Sequence, residues 1–293
     1  MANVALIGLG NMGAPMAANL VKKGHSVHGF DLVAANLDAA SKRGVKAAGS
    51  ATAAVADADV VVTMLPAGKH VVQVYEQVLG ATRKGCVFVD CSTIDVASAR
   101  KAHDLAGAKG MLSLDCPVSG GVAGAEAATL TLMAGGTKAA FDAAKPTLEA
   151  VSKRLVHCGD AGAGQSAKIC NNMMLGISMI GVAEAFVLAE KLGLSHQALF
   201  DVASTSSGQC WALTSYCPVP GPVPASPANN GYKPGFASAL MVKDMKLSQE
   251  AAAAVGATTP LGAAAAQLYA MHTAWGEGNA DFSSIIHLLR GKV

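Results

Sequence analysis

A glycine-rich turn near the N-terminus constrains the fold of this chain more than any other feature. The run Val4 to Ile7 is typical of a short buried strand, and Gly8-Leu9-Gly10-Asn11-Met12-Gly13 follows it directly. Pro15 to Lys23 then has the pattern of a helix that ends at Gly24. A strand, a G-x-G-x-x-G turn and a helix in this order predict the first βαβ unit of a dinucleotide-binding fold.

Each glycine of the turn has a separate function in this prediction. Gly8 allows the tight turn, Gly10 lets the backbone approach a pyrophosphate, and Gly13 lets the helix lie close to the strand. The pyrophosphate would lie at the helix N-terminus, where N–H groups and the helix dipole favour an anion. A simple strand–helix turn is the alternative interpretation of the same three glycines.

Asp31 predicts which dinucleotide binds. It ends a second predicted strand, Ser26 to Phe30, where a carboxylate accepts hydrogen bonds from the adenine ribose hydroxyls and repels a 2′-phosphate. Leu32 and Val33 follow it, in place of an Arg that could hold that phosphate. The sequence therefore predicts NAD rather than NADP. A second function of Asp31 as a helix N-cap is compatible with this one.

Strand and helix patterns alternate until about residue 158. The elements predicted after the second strand are the helix Leu32–Lys42 and the strands Asp59–Leu65, Cys86–Asp90 and Leu112–Asp115. This alternation predicts right-handed βαβ units and a mainly parallel, doubly wound sheet of the Rossmann type.

A long helical pattern, Gln165 to Leu192, separates this region from a helical one. The later predicted helices are Gln197–Ser204, Leu240–Val255 and Leu261–Glu277. We expect a Rossmann domain at residues 1–162 and an all-α substrate and oligomerisation domain at residues 163–293, joined by the long helix. Glu184 and the lack of basic flanks favour a buried helix over a membrane span for its apolar part. The Pro- and Gly-rich segment Cys217–Gly235 is too long for a plain connector, so it is either functional or mobile.

The composition excludes several classes of protein. Hydrophobic residues are 52% of the chain and charged residues 14%, which excludes a disordered chain. A net charge of +2 argues against a nucleic acid or an anionic membrane as the main partner. Seven Cys without a C-x-x-C pair and eight His without ligand spacing predict no metal site and a reducing, cytoplasmic location. The strand pattern that begins within three residues of Met1 predicts no signal peptide.

Three further segments carry candidate catalytic residues. Ser119-Gly120-Gly121 follows a predicted strand and could offer N–H donors to a substrate carboxylate, or form a plain turn. Lys168 and Asn172 are four residues apart and share a face of the long helix, where a snorkelling lysine is the alternative. Lys243-Asp244 could be a functional pair or a surface helix pair.

With these segments the chain resembles the β-hydroxyacid dehydrogenase family over nearly its whole length. The shared motifs are Gly8-Leu-Gly-Asn-Met-Gly13, Met64-Leu65-Pro66, Asp90-Cys-Ser-Thr93, Asp115-x-Pro-Val-Ser-Gly-Gly121, Gly162-x-Gly-Gln-x-x-Lys168-x-x-Asn-Asn172 and Lys243-Asp244. A later group resembles the 3-hydroxyisobutyrate dehydrogenase branch: Trp211, Pro218-Val-Pro-Gly221, Ser226-Pro-Ala-Asn-Asn-Gly-Tyr232, Gly235-Phe236, Leu240-Met-x-Lys-Asp244 and Asp281-Phe-Ser-Ser284. Cys116 and Met245 stand where the family pattern has Ala and Leu, and both changes keep an apolar side chain.

The resemblance implies a function for each candidate residue. Lys168 would be the general acid/base, and Asn172 would orient Lys168 or the substrate. The substrate carboxylate would be bound by Ser119, Gly120 and Gly121, with Lys243 and Asp244 nearby. Residues implied for the cofactor site, beyond the glycine-rich turn and Asp31, are Leu65, Pro66, His70, Thr93 and Lys243. His70 could equally be a solvated side chain.

The implied reaction is NAD-dependent oxidation of 3-hydroxyisobutyrate to methylmalonate semialdehyde, a step of valine breakdown. The same chemistry on L-serine, D-glycerate (tartronate semialdehyde) or 3-hydroxypropionate is the alternative. Phosphogluconate is disfavoured because the stretch 206–235 contains a single Lys and no Arg to bind a phosphate. A non-catalytic dinucleotide-binding assembly module ranks last, since it would be expected to lose the catalytic lysine. Long apolar helical faces in the second half predict a homodimer or homotetramer.

Overall fold

The computed structural model describes residues 1–291 of the chain. The chain divides into a first compact unit, Met1–Lys168, and a second unit that begins at Ile169. The predicted boundary, between residues 162 and 163, lies before the long helix Ala163–Lys191. The division of the structure lies inside that helix, in its second turn.

Within residues 1–168, nine strands form a single sheet. They are β1 (Asn3–Ile7), β2 (Ser26–Phe30), β3 (Lys46–Ala47), β4 (Val60–Thr63), β5 (Val87–Asp90), β6 (Leu112–Asp115), β7 (Val118–Ser119), β8 (Leu130–Gly135) and β9 (Ser152–Gly159). The strand order is β3-β2-β1-β4-β5-β6-β8-β7, and β9 pairs with β8. Pairing is parallel except where β8 meets β6 and β7. The mainly parallel, doubly wound sheet predicted from the sequence is confirmed.

Helices cover both faces of this sheet. They are α1 (Gly13–Lys22), α2 (Ala34–Ser41), α3 (Ala51–Val55), α4 (Gly68–Val78), α5 (Val96–Ala108), α6 (Gly121–Glu126) and α7 (Lys138–Leu148). Successive residues of β1 alternate between two hydrophobic clusters: Val4 and Leu6 pack in one, Ala5 and Ile7 in the other. Because both faces are buried, the central strands are apolar at every position, as in Val60-Val61-Val62.

The predicted strands Ser26–Phe30 and Leu112–Asp115 have these bounds in the structure. The second helix begins at Ala34 rather than Leu32, because Asp31 Oδ1 accepts a hydrogen bond from Val33 N at 2.8 Å and forms a turn first. Strands β3, β7, β8 and β9 were missed. Of these, β3 and β7 are two residues long, too short for a periodic pattern.

The second unit is helical, as predicted. Its core consists of large side chains such as Phe186, Met245, Tyr269 and Phe282. Besides the long helix α8 (Ala163–Lys191), which begins in the first unit, the helices are α9 (His196–Ala203), α10 (Trp211–Thr214), α11 (Ser238–Val255), α12 (Pro260–Ala274) and α13 (Ile285–Arg290), with 3-10 turns at Pro227–Asn230, Glu277–Asn279 and Phe282–Ser284.

Helix α8 is long and apolar enough, by length and composition, to cross a membrane. In its most apolar stretch 39% of the residues are buried in the structure. Met179, Ala183 and Phe186 on this helix belong to the core of the second unit. A core helix of a soluble protein passes the same length and composition test, so one such helix is weak support for a membrane span.

The segment Cys217–Gly235 is held by its own hydrogen bonds. Ser226 Oγ donates to the Cys217 carbonyl at 2.6 Å, and Tyr232 Oη donates to the Pro218 carbonyl at 2.8 Å. Cys217 and Val219 are fully buried in the core of the second unit. The segment is therefore a packed part of this unit rather than a loose connector.

Candidate active site

The glycine-rich turn has the geometry that the sequence predicted. Gly8 has a positive φ of +96°, and a Cβ there would lie 2.2 Å from the Met64 carbonyl oxygen. A Cβ on Gly13 would lie 1.9 Å from the Gly8 carbonyl oxygen, so glycine is needed for α1 to begin against the turn. A Cβ on Gly10 would meet no described atom within 4 Å. The turn thus combines a tight backbone with open space beside Gly10, which fits a bound pyrophosphate.

Asp31 holds this turn against the end of β2. Its Oδ2 accepts a hydrogen bond from Leu9 N at 2.6 Å, while Oδ1 accepts the bond from Val33 N. The N-cap of α2 is Val33 and not Asp31, so the capping function proposed from the sequence is wrong. Each carboxylate oxygen keeps a further lone pair for a ribose hydroxyl. These residues fit a dinucleotide with free adenine ribose hydroxyls.

The ends of β4 and β5 carry the next group of predicted cofactor residues. Leu65 N donates to Ser92 Oγ at 2.8 Å, which joins the loop after β4 to the loop after β5. Leu65 and Pro66 lie in the first loop, and Thr93 follows Ser92 in the second. Since β4 lies beside β1 and β5 lies beside β4, the two loops follow the glycine-rich turn in order along the carboxyl ends of the parallel strands.

His70 lies on α4, which follows the loop after β4. The Nδ1 atom of His70 is buried and has no hydrogen-bond partner among the described residues. His70 is helical and half-buried rather than in a loop, so the alternative of a solvated loop side chain does not describe its buried Nδ1 atom. Its contact with a cofactor stays a prediction.

Asp90, at the end of β5, binds residues at the ends of both β4 and β5. Its Oδ1 accepts hydrogen bonds from Thr63 Oγ1 at 2.7 Å, Ser92 Oγ at 2.6 Å and Ser92 N at 3.2 Å. Its Oδ2 is buried without a partner among the described residues. Burial raises the pKa of Asp90 to about 6, against the opposing effect of the Ser92 and Thr63 hydrogen bonds.

Asp115 stands beside Asp90 in the parallel register of β5 and β6. It accepts hydrogen bonds from Gly162 N and Gln165 N, both at 2.8 Å, at the beginning of α8. Lys168 follows on this helix, and its side chain is 8% exposed. The candidate base is therefore a buried residue near the carboxyl ends of β5 and β6, rather than a lysine that reaches solvent.

Ser119 ends β7, Gly120 is the N-cap of α6, and Gly121 is the first residue of that helix. Both glycines have a positive φ, +133° and +62°, which an L side chain rarely adopts. The sequence had suggested a loop or a plain turn for these three residues. In the structure they form the end of a short strand and the start of a helix. Their binding of a substrate carboxylate stays a prediction.

In the second unit, Asn172 and Asp244 form a buried pair. Asn172 Nδ2 donates to Asp244 Oδ2 at 2.5 Å, although 72 residues separate them. The exposed fractions are 2% for Asn172 and 4% for Asp244. A surface helix pair at Lys243-Asp244 is therefore wrong for Asp244, while Lys243 beside it is half-buried.

Several polar residues that hold the site together were given no function from the sequence, although four of them, Asp90, Ser92, Asp115 and Gln165, lie in the shared motifs. The full group is Thr63, Asp90, Ser92, His103, Asp115 and Gln165. Two of them had a signal in the sequence, since Asp90 and Asp115 are each the carboxylate that ends a predicted strand. The residues that bind these two carboxylates, such as Thr63, His103 and Gln165, come from other parts of the chain, and no local pattern predicts the pairing.

Family models match both parts of the chain. The NAD binding domain of 6-phosphogluconate dehydrogenase matches residues 3–159. The model described as NAD-binding of NADP-dependent 3-hydroxyisobutyrate dehydrogenase matches residues 162–289.

Individual relatives cover the full length. A probable 3-hydroxyisobutyrate dehydrogenase of Mycobacterium bovis is 55% identical over 292 residues, covering 100% of this chain and 99% of the relative. An NAD-dependent L-serine dehydrogenase of Pseudomonas aeruginosa is 46% identical over 288 residues, covering 97% of each. The structure of Mycobacterium tuberculosis 3-hydroxyisobutyrate dehydrogenase with L-serine has a TM-score of 0.96 and 56% identity, covering 99% of each chain.

Proposed function

Because the chain belongs to the 3-hydroxyisobutyrate dehydrogenase family, we propose that it oxidises 3-hydroxyisobutyrate to methylmalonate semialdehyde with NAD. Family membership makes it an NAD-dependent β-hydroxyacid dehydrogenase; the particular substrate is the proposed part. The observation that carries the proposal is the buried position of Lys168, close along α8 to the hydrogen bonds that fix this helix to β6. An amine there is shielded from bulk water, which favours its neutral, proton-accepting form.

The chain's own residues would bind the reactants as follows. Asp31 and the turn Gly8–Gly13 would hold the adenine ribose and the pyrophosphate, while Leu65, Pro66, His70 and Thr93 would line the nicotinamide half. Ser119, Gly120 and Gly121 would hold the substrate carboxylate with a hydroxyl and N–H donors. Bound NAD supplies the hydride acceptor.

Lys168 Nζ would accept the proton from the substrate hydroxyl as the carbonyl forms, and return it in the reverse reaction. Asn172, one turn further along α8, would orient the lysine or the substrate, and Asp244 fixes the Asn172 amide through their hydrogen bond. Lys243, next to Asp244, would contribute a positive charge to the substrate and cofactor site.

L-serine is the second candidate substrate, because one relative is named an L-serine dehydrogenase and the structure of another is described with L-serine. It differs from 3-hydroxyisobutyrate by an ammonium group in place of a methyl group. We expect kcat/KM for 3-hydroxyisobutyrate to exceed that for L-serine by about tenfold or more, the discrimination typical of a pocket fitted to one small group. Initial rates with NAD on both acids, D-glycerate and 3-hydroxypropionate measure this. A higher kcat/KM for L-serine would make the protein a serine dehydrogenase.

Replacement of Lys168 tests the mechanism. Lys168→Ala should lower kcat by about 10²–10⁴-fold, the usual loss when a general base is removed, while the Kd for NAD stays within about twofold. Lys168→Arg should not restore the rate, because a guanidinium keeps its proton near neutral pH. Lys191→Ala, at the exposed far end of the same helix, is the matched control and should leave kcat unchanged. A folded Lys168→Ala enzyme with more than about a tenth of the normal kcat would exclude this function of Lys168.

We also propose a homodimer or homotetramer that buries apolar side chains of the second unit. Met174 and Leu188 on α8 are each 59% exposed, and Leu192 just after it is 74% exposed. Apolar side chains spaced along one helix are typical of a surface that a partner covers. Light scattering at micromolar concentration should give a multiple of the 29.3 kDa chain mass. A monomer mass would contradict the proposal.

A further inference from the structure

The first turn of α8 is bound to the sheet by the carboxylate of Asp115, at the end of β6. Asp115 ends β6, and its two oxygens accept hydrogen bonds from Gly162 N and Gln165 N, each at 2.8 Å. The residue before α8 is Gly162, which has no side chain to cap the helix. A carboxylate 47 residues away along the chain therefore supplies the N-cap, with a negative charge at the positive end of the helix dipole.

The Gln165 side chain makes a second connection from the same turn. Its Oε1 accepts a hydrogen bond from Ile94 N at 3.1 Å, and its Nε2 donates to the Ser92 carbonyl at 2.7 Å. Both partners lie in the loop after β5 and enclose Thr93. The Gln165 side chain is fully buried, so these bonds are shielded from competing water.

Two glycines make this close approach possible. A Cβ on Gly164 would lie 2.3 Å from the Met133 carbonyl oxygen and 2.4 Å from the Asp115 carbonyl oxygen. A Cβ on Gly135 would lie 2.5 Å from Gly164 N. The helix start thus lies directly on the ends of β6 and β8, where backbone atoms cannot give way.

Asp115 also contacts His103, a residue of α5. His103 Nε2 lies 2.9 Å from Asp115 Oδ1, and the other ring nitrogen of His103 lies 2.7 Å from Ser113 Oγ. Asp115 is 2% exposed. Its orientation is therefore fixed from α5 and β6 as well as from α8.

These contacts determine where Lys168 is held. It lies three residues after Gln165, so the two side chains are neighbours on one helix face. The Gln165 side chain on that face is fixed at residues 92–94, and any tilt of the first turn would displace Lys168 relative to that loop. A displacement of about 1 Å in a reacting group can reduce the rate by about 10²-fold.

We propose that Asp115 and Gln165 are positioning residues for Lys168. They clamp the start of α8 to the ends of β5 and β6, and thereby hold the amine in the orientation in which it takes the substrate proton. This inference rests on the proposed function of Lys168 as the base. Neither Asp115 nor Gln165 touches the reacting atoms in this scheme.

A double-mutant cycle tests the proposal. Asp115→Asn and Gln165→Ala are each made in the wild-type protein and in Lys168→Ala, and single-turnover NADH formation is measured with saturating NAD and hydroxy acid. Each change should slow the step by at least about tenfold when Lys168 is present, and by less than about threefold when it is absent. A merely structural function predicts the same fold-change in both backgrounds, and that result overturns the proposal. An unchanged rate in the wild-type background overturns it as well.

Two controls keep the outcomes distinct. Ser166→Ala removes a side chain from the same turn that bonds within the helix, to the Gly162 carbonyl at 2.8 Å, and should leave the rate unchanged. The Lys168→Ala single variant reports on the proposed function by itself: a near-normal rate there rejects the base and the clamp together. An additive cycle with a slow Lys168→Ala variant rejects the clamp and retains the base. If Asp115→Asn does not fold, the Gln165→Ala arm decides.

Discussion

Asp115 in the first unit and Asp281 in the second are both buried aspartates that collect hydrogen bonds from distant backbone N–H groups. Asp115 accepts from the start of α8. Asp281 accepts from Gly235 N at 3.0 Å, Phe236 N at 3.1 Å and Tyr216 Oη at 2.8 Å. Their exposed fractions are 2% and 0%.

The difference lies in what each carboxylate holds. Asp115 holds the first turn of a helix that carries Lys168 on its next turn. Asp281 holds the end of the Cys217–Gly235 segment and, through Ser283 N and Ser283 Oγ, the 3-10 turn that follows it. One physical arrangement, a buried carboxylate that satisfies N–H groups, therefore fixes the start of the helix that carries Lys168 in one unit and the end of a long segment in the other.

The largest effect is expected at the contact between α8 and the sheet. Gly164→Ala places a Cβ against two backbone carbonyl oxygens, which cannot move aside as a side chain can. We expect a loss of about 3 kcal/mol in the free energy of unfolding, the upper part of the range for overpacking, together with a slower single-turnover rate. Gly181→Ala on the same helix is the control, because a Cβ there meets no described atom within 4 Å. Urea denaturation measures both; equal stability of the two variants would contradict the close contact.

Asp281→Ala should lower the free energy of unfolding without lowering kcat. It removes the acceptor of the Gly235, Phe236 and Ser283 N–H groups, and unsatisfied buried donors should lower the free energy of unfolding by roughly 2–3 kcal/mol. The kcat of the folded enzyme should stay within about twofold of normal, measured below the melting temperature. A tenfold loss of kcat in folded Asp281→Ala would show that the two aspartates do not differ as described.

Asp90, the neighbour of Asp115 on β5, gives a pH-dependent test. Its pKa rises on folding from 3.8 to about 6, because of its burial, so the folded state binds more protons than the unfolded state between these values. Stability should therefore fall as pH rises from about 4 to about 6, by at most about 1.4 kcal/mol per pH unit, and then level off. Asp90→Asn keeps an acceptor oxygen for Thr63 and Ser92 and should lose this part of the pH dependence. Urea titrations at several pH values measure the free energy of unfolding of both proteins. If it depends on pH equally in the wild-type protein and in Asp90→Asn, the raised pKa of Asp90 is contradicted.

The smallest effect concerns Asp31, a half-exposed carboxylate that also holds backbone N–H groups. Replacing Asp31→Asn with Leu32→Arg exchanges a group that repels a 2′-phosphate for one that binds it, and Leu32 is 92% exposed, so an Arg fits there. We expect the ratio of kcat/KM for NAD to that for NADP to fall by about tenfold. Leu32→Ala is the control and should not change the ratio. Equal or better use of NADP by the wild-type enzyme would show that Asp31 does not bind the ribose.

The features of the fold and the cofactor site that could be predicted are those set by residues close together in the sequence. The alternation of strands and helices, the turn Gly8–Gly13 and Asp31 after β2 are local features, each set by residues within about twenty positions along the chain. The antiparallel strands were missed because β7 takes its place only by pairing with β8. The first turn of α8 likewise lies in the first unit, where it donates hydrogen bonds to Asp115, and hydrophobic periodicity in residues 163–168 does not reveal this.

The sequence by itself determined the Rossmann-type fold, the helical second unit, the cofactor class and the identity of Lys168 and Asn172 as candidates. It did so because glycine, strand-end carboxylates and hydrophobic periodicity act through neighbours along the chain. The tertiary structure decided which donor each buried carboxylate binds: the backbone N–H of Gln165 for Asp115, and the side-chain amide of Asn172 for Asp244. A buried charge must be satisfied by whatever donors the fold brings to it, and those donors come from 50 and 72 residues away in the chain.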